Sequence, residues 1–499
     1  MDVIYHMLIV FREPQLIALV AAGAFAGVYV GAIPGLSGTM AVSLLVSFTF
    51  GWNIHNALAL IIGVFVGAVF GGSRSAILLN IPGAPAAVAT GFDGYPLSQK
   101  GLAGQAMGLA TTQSFIGTIL GIVALAVGAP FMARFALNFR SIDYLLLASM
   151  GLMTAGSLGG KSLKHGLIAG AIGLFIGCVG IDPQTAVRRF TFGFLYLNSG
   201  VNFVVAMIGL FGASEALIQL ADKRIKPVKQ KKVERIVPPW RTTVKHLPLT
   251  LRSSIIGVLV GAVPGAGGDI AALLSYAQAK RSTRQPQIPF GEGAVEGIIA
   301  PETANNAAIG GAFIPMLTLG IPGDAITAVI LSALTVHGLR PGPNLMSSSP
   351  DLFWLIVTCL IFAAFFLLLF GLTGIRLFSK IVEAPKGILM PVILVLSVIG
   401  AFAIRNSLYD IFWVFVFGII GYLFKRYDYP VSPVVLGIIL CPLFENNYRR
   451  GVMLEGSLLG MFGSIFSSVI SVLLLVLMLF MFVIQSNWYK SWRQRLDAK

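Results

Sequence analysis

The sequence is poor in charge and in the side chains that do most chemistry near neutral pH. Of its 499 residues, 11% are Asp, Glu, Lys or Arg, five are His and three are Cys. Cys178, Cys359 and Cys441 lie in or beside apolar segments, odd in number and without CxxC spacing. That pattern argues against a disulfide framework or a metal centre, and the three read as packing residues. There is no HExxH pair, no nucleophile elbow and no convincing catalytic triad, so an enzyme has no support. No cofactor is expected, and the only metal in view is a coupling Na+. The opening Met1-Asp-Val-Ile-Tyr-His has neither a basic n-region nor an Ala-x-Ala-like cleavage site, so the first apolar segment is expected to be retained.

What is abundant is apolar surface. The chain is 56% apolar with a mean hydropathy of +0.87, and runs of about 18 or more apolar residues, the length a bilayer requires, recur along it. The expected fold is an all-α polytopic membrane protein with about ten to twelve transmembrane helices. The net charge of +15 could suggest nucleic acid, but the basic residues sit between spans, as the positive-inside rule predicts. Ten of the 35 Lys and Arg fall between Ala221 and Arg252. This divides the chain into an N-terminal membrane half (1–220), a basic cytoplasmic linker (221–249), a C-terminal membrane half (250–486) and a basic tail (487–499). The tail places the C-terminus in the cytoplasm.

The two halves repeat one another. Gly31-Ala-Ile-Pro-Gly-Leu-Ser-Gly38 returns as Gly261-Ala-Val-Pro-Gly-Ala-Gly-Gly268, and ten of eighteen positions match between 27–44 and 257–274. A second signature, Asn80-Ile-Pro-Gly83, returns as Gly320-Ile-Pro-Gly323. Pro and Gly inside an apolar helical run remove helical hydrogen bonds and bare backbone polar groups. In lipid such groups are tolerated only where protein, water or ligand meets them. Interrupted segments at corresponding positions of two halves are the sequence pointer to a secondary transporter's site. Basic residues flank 249–279 on both sides, which favours a re-entrant hairpin with its tip at Pro264-Gly265. The first copy ends in Gly51-Trp-Asn-Ile-His-Asn56 without a basic residue, the contrast expected of an inverted repeat.

The breaks define candidate substrate contacts: Pro34, Gly35, Ser37, Gly38, Asn80, Pro82, Gly83, Pro264, Gly265, Gly267 and Gly268. Ionisable residues at membrane depth are costly and mark sites. Arg74, flanked by Ser73 and Ser75, could hold a carboxylate bidentately, pair with a buried acid such as Glu302, or snorkel. Glu302, Asn305 and Asn306 lie at i, i+3 and i+4, offering hard oxygens to a cation, with Thr303 beside them as a substrate contact. Interhelical hydrogen bonding alone would also explain that face. Asp269 and Asp324 start half-helices, where an Asp is first an N-cap, and they are further cation candidates. The Gly-rich breaks lack the Gly-Lys-Ser/Thr of a phosphate-binding loop, so ATP hydrolysis is not expected.

Together these motifs resemble the large membrane subunit of the tripartite tricarboxylate transporters, the TctA family, nearly end to end. The resemblance is carried by Gly31-Ala-Ile-Pro-Gly35, Gly71-Gly-Ser through Leu78-Leu-Asn-Ile-Pro-Gly83, Phe92-Asp-Gly-Tyr-Pro96, Gly180-Ile-Asp-Pro183 with Arg189-Phe-Thr-Phe-Gly193, Pro264-Gly-Ala-Gly267, Glu296-Gly through Asn306, Leu319-Gly-Ile-Pro-Gly323 and His337-Gly through Arg340-Pro-Gly-Pro343. It implies a multi-pass protein of the bacterial inner membrane that imports di- or tricarboxylates by symport with Na+ or H+. It implies two partners, a small four-span membrane subunit and a periplasmic solute-binding protein. Arg74 stands where the family would often carry a small polar residue. An anion-selective channel and a stand-alone carboxylate permease are the alternatives, distinguished by passive flux and by indifference to a binding protein.

Overall fold

The computed structural model describes residues 13–33, 36–158, 163–182, 185–221, 236, 240–374 and 386–485. Pro34, Gly35, linker residues 222–235 and 237–239, and the whole tail 487–499 lie outside these residues. Among the described residues the protein is all-α apart from a two-stranded hairpin, Gly180–Ile181 paired with Arg188–Arg189.

The N-terminal half opens with four helices interrupted twice: α1 (Pro14–Ala32), α2 (Gly38–Phe48), α3 (Ile54–Leu79) and α4 (Ala87–Leu97). After the linker the same sequence of elements recurs as α9 (Leu247–Gly261), α10 (Gly267–Ser282), α11 (Glu296–Leu319) and α12 (Ala325–Val336). Between them lie α5 (Ala103–Ala136), α6 (Ser141–Leu158), α7 (Leu163–Gly177) and α8 (Phe203–Ala221). The C-terminal half continues with α13 (Pro350–Thr373), α14 (Lys386–Arg405), α15 (Leu408–Arg426), α16 (Ser432–Glu455), α17 (Leu458–Ser467) and α18 (Val469–Gln485). Among the described residues six helices are long and apolar enough to cross a bilayer, and α17 with α18 passes the same test as one pair bent by 100°. Shorter apolar helices, α2, α9 and α12 among them, are the broken pieces.

The repeat extends to individual atoms. In α1 and α3 the ladders Gly23, Gly27, Gly31 and Gly63, Gly67, Gly71 interlock so closely that a Cβ on Gly27 would lie 2.4 Å from Val64 O, and one on Gly31 would lie 2.3 Å from Ala68 O. In α9 and α11 the equivalent Gly257 and Gly261 sit on Ala304 O and Ala308 O at 2.3 and 2.5 Å by the same measure. Small residues let backbones approach and replace the hydrophobic force that lipid cannot supply between helices. Gly83 lies against Gly31 O and Gly72 Cα, and Gly323 lies against Gly261 O and Ala312 Cα, again equivalent positions.

The two copies interlock reciprocally. α2 packs on α12 and α4 on α10; α5 packs on α11 and α13 on α3; α7 packs on α16 and α15 on α8. Such exchange, in which i meets j′ and j meets i′, is the mark of a two-fold relation. Equivalent helices α3 and α11 also meet each other, with Phe65 and Phe313 rings 6.0 Å apart.

Three local features bear on the site and its surroundings. The polar stretch 90–100 is helical, as α4, and runs through a kink at Gly101 (φ 86°) towards α5. Its polarity serves the protein interior: Asp93 is buried and accepts from the N–H groups of Gly291, Gly293 and Ala294, at 2.8 to 2.9 Å, and from Tyr276 Oη at 2.9 Å. The apolar run over 456–484 is sharply broken, because Ser468 is extended (φ −137°, ψ 132°) after a short 3₁₀ turn. Finally, Cys178 and Cys441 are not isolated packing residues: their Sγ atoms lie 3.4 Å apart where α7 ends against α16.

Candidate functional site

All four breaks converge. α3 ends with Asn80 in the left-handed region (φ 56°) and α11 ends with Gly320 at φ 70°, each followed by the same pair of capping hydrogen bonds. A left-handed terminus reverses the chain, and Gly or Asn takes it at least cost. At the other pair of breaks Gly265 (φ 77°) and Gly267 (φ 61°) let α10 begin abruptly after α9. Four half-helices, α2, α4, α10 and α12, therefore start at one place, and their N-termini surround a cavity of about 440 Å³ that opens to the surface past Pro85, Asp269 and Leu273.

Its walls come in equivalent pairs from the two copies: Ser37 and Gly267, Gly38 and Gly268, Thr39 and Asp269, Val69 and Ile309, Ala84 and Asp324, Ala86 and Ile326. The volume suits a small ligand. Helix N-termini carry positive potential and unsatisfied N–H groups, so the four together favour an anion. Ser37 caps α2 by accepting from Met40 N at 3.1 Å. Asp324 caps α12 in a reciprocal box, its Oδ1 2.7 Å from Thr327 N and its own N–H 2.9 Å from Thr327 Oγ1. Asp269 does not cap its own helix. It reaches across to the other copy, where Oδ1 accepts from Ala86 N at the start of α4, at 3.0 Å. Asn305 completes the wall, and Gly268 presses so close that a Cβ there would lie 2.3 Å from Asn305 Oδ1. The two aspartates both come from the C-terminal copy, and no basic residue is among the described lining residues.

A second polar centre lies beside the cavity, fully enclosed. Glu302 on α11 is 1% exposed. Its Oε1 accepts from Ser73 Oγ of α3 and, at 2.5 Å, from Thr90 Oγ1 of α4; Oε2 accepts from Ser114 Oγ of α5 at 2.7 Å. Asn306 Nδ2 donates to the same Ser114 Oγ and to Glu302 O, both at 2.9 Å. The Glu-Asn-Asn face is thus divided, with Asn305 turned to the cavity and Glu302 and Asn306 to the hydroxyls.

The remaining candidates lie elsewhere. Arg74 is fully buried and turned away from both centres; its Nη2 donates to Phe370 O at 2.8 Å and Gly371 O at 2.7 Å, at the end of α13, and its guanidinium lies 5.2 Å over the Phe70 ring. Thr303 Oγ1 lies 2.9 Å from Gln113 Oε1 and 2.7 Å from Ile299 O. Ser75 donates to Gly72 O within its own helix. Asn80 and Pro82 line a separate cavity with Phe92 and Tyr95, while Gly83 is packed against the backbone of α1 and Pro264 stands beside Gly151 of α6. The structure adds Thr39, Thr90 and Ser114, which nothing in the sequence distinguished from the many other hydroxyls of apolar helices.

Two interlocked copies of a broken-helix unit, meeting at one cavity in a polytopic membrane bundle, define a membrane transporter built on an internal repeat. The chain belongs to the tripartite tricarboxylate transporter TctA family, whose model matches residues 17–436. This is a family of transporters and not an enzyme class. The chain is 35% identical over 461 residues, 91% of each chain, to an uncharacterized 52.8 kDa protein in the TAR-I ttuC' 3' region of Agrobacterium vitis. It is 38% identical over 199 residues to an uncharacterized protein in the TAR-II ttuC' 3' region of the same organism, covering 40% of this chain and 82% of the other. No solved structure matches.

Proposed function

We propose that this protein is the large permease subunit of a binding-protein-dependent secondary transporter, importing di- or tricarboxylates across the bacterial inner membrane by symport with Na+ or H+. The observation that carries this reading is the convergence of four half-helix N-termini, two from each copy, on one cavity of about 440 Å³. Backbone N–H groups and the Ser37 hydroxyl would hold the carboxylates. Asp269 and Asp324 oppose an unaccompanied anion by charge, so a cation bound near them and Asn305 must enter with it; that requirement is a physical basis for coupling. The two-fold exchange of elements supports alternating access, in which the two halves move against each other at the broken segments and open the cavity to each side in turn. Family membership supports a small four-span subunit and a periplasmic binding protein as partners, while the basic charge of the linker and tail supports their cytoplasmic side.

The test is uptake of labelled di- and tricarboxylates into proteoliposomes holding this chain and the small subunit, with and without binding protein, under an imposed Na+ or H+ gradient. Accumulation that follows one gradient and requires the binding protein is expected. Downhill flux indifferent to both would overturn the reading in favour of a channel.

A further inference from the structure

We infer that Glu302, Ser73, Thr90, Ser114 and Asn306 form a dehydrated sodium site, separate from the cavity and adjacent to it. The inference rests on the transport reading and assigns one of its coupling ions to a place. A carboxylate buried at membrane depth needs a compensating charge. Among the described residues no basic side chain pairs with Glu302, and neighbouring Arg74 is committed to the carbonyls of Phe370 and Gly371. Three hydroxyls from three different helices point at the carboxylate instead. Hydroxyls solvate such a charge, and their remaining lone pairs are hard-oxygen ligands for a small cation.

A second, independent observation points the same way. Asn306 is fully buried, and while its Nδ2 is engaged, its Oδ1 has no hydrogen-bond partner. A buried amide oxygen without a partner is costly, and here it belongs to the residue that already touches Ser114. A bare proton on Glu302 would leave that oxygen unmet; a cation among the five groups gives it a ligand role. The cage draws α3, α4 and α5 of the N-terminal half onto α11 of the C-terminal half, so an ion there ties the two halves together. Asn305, the next residue back from Asn306, faces the cavity, which places the ion one residue from the carboxylate site.

The experiment is equilibrium binding of ²²Na+ to the full chain in nanodiscs, without substrate and against a K+ background. Saturable binding is expected, weakened at least roughly tenfold by Thr90→Val and by Ser114→Ala, the size of a lost ligand, and abolished by Glu302→Gln. Asp269→Asn should leave this binding in place. Thermal unfolding without Na+ identifies any variant that has simply failed to fold, and Ser73→Ala then replaces it. Sodium binding that is absent, or insensitive to the hydroxyl variants, overturns the site. Carboxylate uptake driven by H+ with no Na+ bound would overturn the sodium assignment while leaving the transport reading intact; absence of all carboxylate uptake with Na+ binding preserved would do the reverse.

Discussion

Arg74 shows how one residue's role depends on where its side chain can reach. By sequence it stands between two serines ahead of an Ile-Pro-Gly break, where a substrate contact and a structural partner are both reasonable. Its guanidinium instead takes two carbonyls at the end of α13, a helix terminus whose acceptors the bilayer cannot satisfy. Hydrogen bonds to a buried charged group contribute about 1.5–3 kcal/mol each. Arg74→Gln should therefore lower stability by roughly 2–4 kcal/mol, read as thermal unfolding in detergent. In the surviving folded fraction KM for carboxylate should stay unchanged, whereas a large rise in KM with normal stability would make Arg74 a substrate ligand.

At the scale of elements, the breaks work because each helix end finds its partners in a neighbouring element. Asp269 of α10 meets the start of α4, and Asp93 of α4 meets the turn that leads into α11. At the N-terminal end of α11, His246, just ahead of α9, lies 3.4 Å from Glu296. The hydrogen bond to Glu296 raises the His246 pKa above its usual 6.5, with burial opposing. A raised His pKa means that the pair's stabilisation is fully present below 6.5 and is lost as pH rises through the higher folded value. Stability of the wild type should fall across that window by less than about 1 kcal/mol, as for a partly exposed pair. His246→Gln should remove this pH dependence, and an unchanged profile would count against the pair.

Across the whole molecule, the backbone obeys the two-fold relation while the chemistry does not. Glu302, Asn305 and Asn306 of α11 correspond to Ile62, Phe65 and Val66 of α3, and Asp269 and Asp324 correspond to Thr39 and Ala84. Symmetric packing permits two equivalent arrangements of the halves, while polar residues from one copy give the site a single composition. If the halves move against each other during transport, tying α2 to α12 stops the cycle. A Cβ on Gly38 would lie 3.1 Å from Ile326 Cδ1, so Gly38→Cys with Ile326→Cys should accept a short reducible cross-linker. Uptake should be lost on cross-linking and return on reduction; full transport while cross-linked would exclude relative movement there.

The sequence by itself determined the membrane fold, the repeat, the positions of the helix breaks and the family, because each is written in local composition and in motifs that recur at fixed spacing. It also picked out the polar residues that stand exposed by an apolar background, such as Glu302 and the aspartates. Only the tertiary structure decided how they group. Asn305 and Asn306 are neighbours in sequence yet face different centres, because a helix turns about 100° per residue. Ser73, Thr90 and Ser114 meet Glu302 from 188 to 229 residues away, a convergence set by long-range packing of interlocked copies and not by any local pattern. The Cys178 and Cys441 thiols are adjacent for the same reason: α7 packs on a helix of the opposite half, and a spacing of 263 residues carries no trace of that contact.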